Sequence, residues 1–146
     1  MRSFRAALAL LLLAGPASGQ GMVPFVVTGD AVEAPLAGLA GDATRGARIV
    51  RNRETANCLI CHTIPDPSEP FMGEVGPPLA GVGSRLTPGQ IRLRLVDPTL
   101  VNPAAAMPAY HRVERLAHVE ERYRGRPVLS AQEIEDVVAY LSALKE

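Results

Sequence analysis

The chain contains two cysteines, and both fall in one five-residue segment, Cys58-Leu59-Ile60-Cys61-His62. In a helical turn, residues three or four apart face the same side. Cys58 and Cys61 can therefore reach one edge of a flat ligand, and His62, four after Cys58, sits under its centre. Cys-x-x-Cys-His is the attachment signal for c-type haem: thioether bonds consume both thiols and the imidazole ligates the iron. Rival readings fare worse. A structural zinc site needs four ligands, and no second Cys or His pair has matching spacing. A thioredoxin-like pair belongs in a strand–helix setting, which the surrounding pattern lacks. An exported protein can pair cysteines as a disulfide, but the adjacent histidine argues for one covalent haem c.

Export itself is expected from the start of the chain. Arg2 and Arg5 precede an apolar run from Ala6 to Ala14, and Gly15-Pro16-Ala17-Ser18-Gly19 follows. A charged start, a short apolar stretch and small residues read as a secretory signal peptide over residues 1–19. The run is shorter than the roughly 20 apolar residues of a permanent anchor, so no membrane anchor is expected after processing. Periplasmic localisation follows as the expectation. Losing Arg2 and Arg5 from 15 basic residues leaves 13 against 15 acidic ones. No basic stripe remains to suggest nucleic acid. The arginine-bearing stretches (Arg45 to Arg53; Arg92 and Arg94; Arg122 to Arg126) read mainly as solvated helix faces, with one or two available to a haem propionate.

Residues 20–41 are rich in Pro, Gly and Ala without helical periodicity, and read as an N-terminal arm. Composition alone leaves open whether it lies over the domain or is a disordered tail. Asp42 can cap a helix running to about Asn52. Gly46 inside that helix costs about 1 kcal/mol against Ala, which a closely packed second helix would explain. After the haem motif, Ile64 to Pro70 is a proline-rich loop. Gly76 to Arg85 is glycine-rich but lacks the ending of a phosphate-binding loop. Thr87 caps and Pro88 opens a helix that Asp97-Pro98 stops. Ser130 and Glu133 form a capping box for a last helix carrying Ile134, Val137, Val138, Leu141 and Leu144. The expected fold is all-α, with three to four helices. Aromatics make up only 4% of the chain and tryptophan is absent. A buried macrocycle would supply the missing apolar volume, so the chain is expected to fold poorly without it.

The iron's second face needs a ligand, and Met22, Met72, Met107, His111 and His118 are the candidates. Met72 follows His62 by only ten residues, with a stiff loop between them, and Met22 lies in the arm. Met107 sits in a proline-bounded loop, Pro103 to Pro108, long enough to wrap the far edge. It is the favoured ligand, with His111 next; His118 reads as a surface residue on an amphipathic stretch. His/Met ligation raises the haem potential and leaves no open coordination position, which favours electron transfer.

Cys58-to-His62, Gly76-Pro77 with Arg85, and Met107-Pro108 resemble the motifs of class I cytochromes c. Further segments resemble the SoxX family in particular. They are Ile91-to-Pro98, Asn102-Pro103 with Met107-Pro108-Ala109-Tyr110, Tyr123-to-Leu129, and Glu133-to-Leu141. The likeness runs from about Pro35 to the end, and implies a monohaem cytochrome c domain over 42–146. It implies thioether bonds at Cys58 and Cys61, with His62 and Met107 as axial ligands. It also implies that the Pro77 carbonyl accepts a hydrogen bond from His62 and that Arg85 pairs with a propionate. SoxX proteins are the small cytochrome subunits of SoxAX complexes, L-cysteine S-thiosulfotransferases that join thiosulfate to a carrier-protein cysteine. The implied role is non-catalytic: the chain accepts the electrons released and passes them to a small soluble cytochrome c. The implied partner is a SoxA-like cytochrome subunit in a heterodimer, with the carrier protein contacted through the complex. The alternative is a free-standing periplasmic electron shuttle, and a haem sensor is a third class. Tyr110 would tune the iron or simply pack.

Overall fold

Helix α1 (Ala43–Arg51) and helix α4 (Ala131–Ala143) cross at a glycine. A Cβ on Gly46 would collide with the Asp136 carbonyl and lie 2.9 Å from the Tyr140 Cβ. The mid-helix glycine thus exchanges helix propensity for close approach of the two backbones, as the sequence predicts. Beside the crossing, Asp136 locks the pair. Its buried carboxylate accepts from Arg45 Nε at 2.6 Å and Nη2 at 2.7 Å, and from the Asp42 backbone N–H at 2.8 Å.

The computed structural model describes residues 21–145; the signal peptide expected at 1–19 lies outside the described residues. Between α1 and α4 come the short helix α2 (Val82–Arg85) and helix α3 (Pro88–Val96), with 3-10 turns at Cys58–Ile60, Pro98–Leu100 and Glu121–Tyr123. Four helices and no strand, among the described residues, make the expected all-α fold; Thr28 and Ala31 form a lone bridge in the arm. The caps act as anticipated. Asp42 accepts from Arg45 N, and both Thr87/Gln90 and Ser130/Glu133 form reciprocal capping boxes. The α2 turn inside the glycine-rich 76–85 segment was not anticipated. His118, read as lying on an amphipathic stretch, sits in irregular chain with φ +55°. No helix among the described residues is long and apolar enough to cross a membrane.

The core gathers the arm, α1 and the haem-motif turn around α3 and α4, where Leu93, Val96, Ile134 and Val137, with Leu129 just before α4, are each no more than 1% exposed. Arg92 is a correction to the sequence reading, which placed it on a solvated face. It is 4% exposed and forms a two-pronged ion pair with the equally buried Glu135, Nε and Nη2 each 2.8 Å from a carboxylate oxygen. What draws it inward is the arm. Arg92 Nη1 donates to the Val32 carbonyl at 2.7 Å, and Glu135 accepts from Leu36 N–H at 2.8 Å. Val32 N–H adds a bond to the Gly89 carbonyl at 3.0 Å. Over residues 21–41, then, the arm lies on the domain, and a buried charge pair satisfies its backbone groups.

Two outcomes follow. Removing one partner of a buried pair strands the other charge, so Arg92→Ala should lower the unfolding free energy of the haem-loaded protein by about 3–5 kcal/mol in denaturant titration. At the surface, Asp66 ties the loop after the haem motif to α1 through Arg51, at 2.7 Å. Hydrogen bonds from Ser68, with Arg51 beside it, hold its carboxyl down at about 2. A depressed carboxylate stabilises above its unfolded value of about 4, and the gain is lost as pH falls towards 2. The melting-temperature gap between wild type and Asp66→Asn should therefore be constant above about pH 4 and close by about pH 2.

Candidate functional site

The motif turn begins on a residue built for a sharp bend. Asn57 has φ +47°, a left-handed conformation that asparagine tolerates better than most residues. Upstream, the Asn52 side chain accepts from the N–H groups of Glu54 and Thr55, at 2.8 and 3.2 Å. A 3-10 turn follows over Cys58–Ile60, and His62 N–H reaches the Cys58 carbonyl at 3.0 Å. That bond spans four residues, the spacing anticipated for placing the imidazole beneath the two sulfurs. Burial pushes the Cys58 thiol up to about 11. Redox-active cysteines in Cys-x-x-Cys pairs are lowered instead, which counts against a dithiol function.

Residues 73–79 run alongside this turn and shape it. Gly73 N–H donates to the Leu59 carbonyl at 2.8 Å, Gly76 to Cys61 at 2.7 Å and Leu79 to Thr63 at 2.9 Å. Two glycines permit the approach. A Cβ on Gly73 would strike the Ile60 carbonyl, and one on Gly76 would fall on the His62 ring, 2.6 Å from Nδ1 and 2.8 Å from Nε2. Next along, the Pro77 carbonyl lies 2.8 Å from His62 Nδ1. A carbonyl only accepts, so Nδ1 carries the proton and Nε2 keeps its lone pair free to ligate.

His62, Cys58 and Cys61 open into a cavity of about 660 Å³, within the range of small-molecule and cofactor sites. Its other walls are mostly apolar, with Leu79, Val82, Ile91, Leu95 and Leu141 among them. Of the five candidate second ligands, Met107 lines this cavity and the others do not. Met72 turns its sulfur to the Ile64 N–H at 3.3 Å, and Met22 is exposed in the arm. His111, the runner-up, is fully buried elsewhere. Its Nδ1 donates to the Leu129 carbonyl at 2.8 Å, and its Nε2 accepts from Val23 N–H at 3.2 Å. His118 is exposed.

Pro77 lies in the cavity wall; Arg85 does not. The Arg85 guanidinium donates to the carbonyls of Ala80 at 2.6 Å and Pro78 at 2.8 Å, stapling the loop just past Pro77. Arg94 is in the lining, held by the Gln90 carbonyl at 2.9 Å. Sequence reasoning left Arg94 among the surface arginines, because helical spacing cannot tell which face of α3 meets the cavity. Tyr110 is in the lining too, and only 6% exposed.

An apolar slot with an oriented imidazole and two thiols on one side, a thioether sulfur in its wall, and a glycine where any side chain would displace the ring fits a haem. The family model described as cytochrome c matches residues 43–145. The chain belongs to the cytochrome c family, and membership implies covalently attached haem c. More particularly, it is similar to a chain in the crystal structure of SoxXA from P. pantotrophus. The two are 36% identical with a TM-score of 0.77, and the match covers 84% of this chain and 95% of that one. No curated protein matched by sequence.

Gly76 offers a direct test of the site. Gly76→Ala should push the His62 ring off its place, giving at least several-fold less haem-stained protein per unit of chain and a high-spin spectrum in what remains. Normal yield and a low-spin spectrum would show that the ring can shift without cost.

Proposed function

We propose that this chain is the electron-transfer subunit of a SoxAX-type L-cysteine S-thiosulfotransferase. One observation carries the reading: the chain has two cysteines, and both sit in the haem-attachment turn. Once they form thioether bonds, no nucleophilic sulfur remains for thiosulfate chemistry. Coupling a thiol to thiosulfate forms an S–S bond and releases two electrons and one proton. The sulfur chemistry then belongs to a partner, and this chain takes up the electrons. In the solved relative the similar chain is part of SoxXA, which supports a SoxA-like subunit as the partner.

On this reading a single haem, when bound, supplies reversible one-electron oxidation and reduction. Cys58 and Cys61 would hold it covalently, and His62 Nε2 and Met107 Sδ would ligate its iron. With both ligands supplied by the protein, small molecules would find no open site. His62 is kept in the ligating tautomer by Pro77, and the apolar lining would keep water from the iron. Arg94, in the cavity lining, would supply a positive charge for a propionate; Arg85 acts on the loop that carries Pro77. Residues 1–19 are the leader for export to the periplasm, 20–41 the arm and 42–146 the haem domain.

The segment beside the attachment turn favours an obligate partner over a free shuttle: Phe71, outside the cavity lining, is 94% exposed, and exposed apolar surface marks an interaction site. A small soluble cytochrome c is the acceptor, and the carrier protein is met through the complex.

The test is co-expression with a SoxA-like haem subunit and a carrier protein. A stable heterodimer whose haem in this chain is reduced on adding thiosulfate is expected. A monomer that gains no thiosulfate-linked reduction would leave the free-standing shuttle.

A further inference from the structure

The loop holding Met107 has little to fix it from within. Ala104 and Ala105 N–H groups bond to Asn102, at 3.0 and 2.9 Å, and much of the segment is exposed. Methionine itself has three rotatable bonds and adapts to its surroundings. Something outside the loop must decide where its sulfur rests.

Three residues on, Tyr110 is fixed from several directions. Its N–H donates to the Leu95 carbonyl at 3.0 Å, and its carbonyl accepts from Leu129 N–H at 2.9 Å. Its ring lines the cavity, and its hydroxyl donates to the Ala56 carbonyl at 3.0 Å. Ala56 lies two residues before Cys58. One side chain thus ties the chain just after Met107 to the turn that carries both cysteines and His62. Three residues of chain span at most about 10 Å, so this anchor restricts where Met107 can go.

We infer that Tyr110 is a positioning residue that fastens the Met107 loop to the haem-attachment turn and thereby strengthens the bond between the Met107 sulfur and the iron. The inference rests on Met107 being the second axial ligand. Phenylalanine would keep the ring and its packing but lose the bond to Ala56, leaving that buried carbonyl without its donor. The net worth of one such bond corresponds to about a 2- to 12-fold change in an equilibrium.

The experiment uses the haem-loaded protein and free imidazole, which competes with a methionine ligand for ferric iron. Tyr110→Phe is expected to bind imidazole about 2- to 12-fold more tightly than wild type. Its sulfur-to-iron absorption band should also fade at a lower temperature than global unfolding. Asp42→Ala, which removes the α1 cap and touches neither Tyr110 nor its partners, should destabilise the fold by a comparable amount and leave imidazole affinity unchanged. In a Met107→Ala background, where the sulfur is gone, adding Tyr110→Phe should change imidazole affinity no further. Equal affinity in wild type and Tyr110→Phe, or an effect of Tyr110→Phe that persists without Met107, would overturn the positioning role alone. Persistence of the sulfur-to-iron band in Met107→Ala would overturn the ligation reading and the inference with it.

Discussion

A turn of five residues has to present two sulfurs and one imidazole nitrogen to the same slot, and such a turn cannot hold that arrangement alone. Its 3-10 geometry closes only a few bonds, and an unsupported imidazole would rotate freely about its side-chain torsions. The support is backbone: three N–H groups of residues 73–79 donate to carbonyls of the turn and its exit, and the Pro77 carbonyl fixes the ring. At Gly73 and Gly76 these contacts bring the two segments closer than a side chain would allow. Gly73 and Gly76 therefore do for the site what Gly46 does for the crossing of α1 and α4. Where a planar cofactor must be gripped by a short segment, the space for side chains is given up to let main chain reach main chain.

Local signals were the legible ones. Asp42, Thr87 and Ser130 announce helix starts through chemistry confined to four residues, and each cap forms as read. The haem motif is equally local. Gly46 was readable one step further, because a costly residue inside a helix demands a neighbour, although not which one. Arg92 was misread for the opposite reason. Its fate depends on Glu135, more than forty residues away, and on arm carbonyls that no periodic pattern reveals. Arg94 and Arg85 illustrate the same limit at the site. Both are arginines near the haem segment in sequence, yet only the fold determines that Arg94 lines the cavity while Arg85 bonds back to its own loop.

The arm explains why a charge pair is tolerated inside so small a core. Arm backbone without regular partners needs donors and acceptors. Arg92 and Glu135 offer them in one unit: the guanidinium supplies a donor to Val32, the carboxylate an acceptor for Leu36, and each neutralises the other. A hydrophobic pair of the same volume would pack as well but leave those peptide groups unmet. His111 serves the arm in the same way near its described start, taking the Val23 N–H on one nitrogen while giving the other to Leu129. Buried polar side chains that look functional in sequence are here consumed in docking irregular chain.

The two walls of the cavity are held by different kinds of contact, and the difference suits their chemistry. The wall bearing Cys58, Cys61 and His62 is fixed by chain no more than about twenty residues away, which closes at small entropic cost. The wall bearing Met107 is fixed by Leu95, Leu129 and Ala56, drawn from well-separated parts of the sequence. Segments with few internal bonds and exposed backbone open at lower free energy than the body of a fold. On the proposed ligation, an opening on the Met107 side would cost a coordination bond that can reform, whereas thioethers would keep the haem tethered on the other side. The durable attachment and the adjustable ligand would then fall on the sturdier and the softer wall respectively, with the bonds that Tyr110 makes holding the softer one.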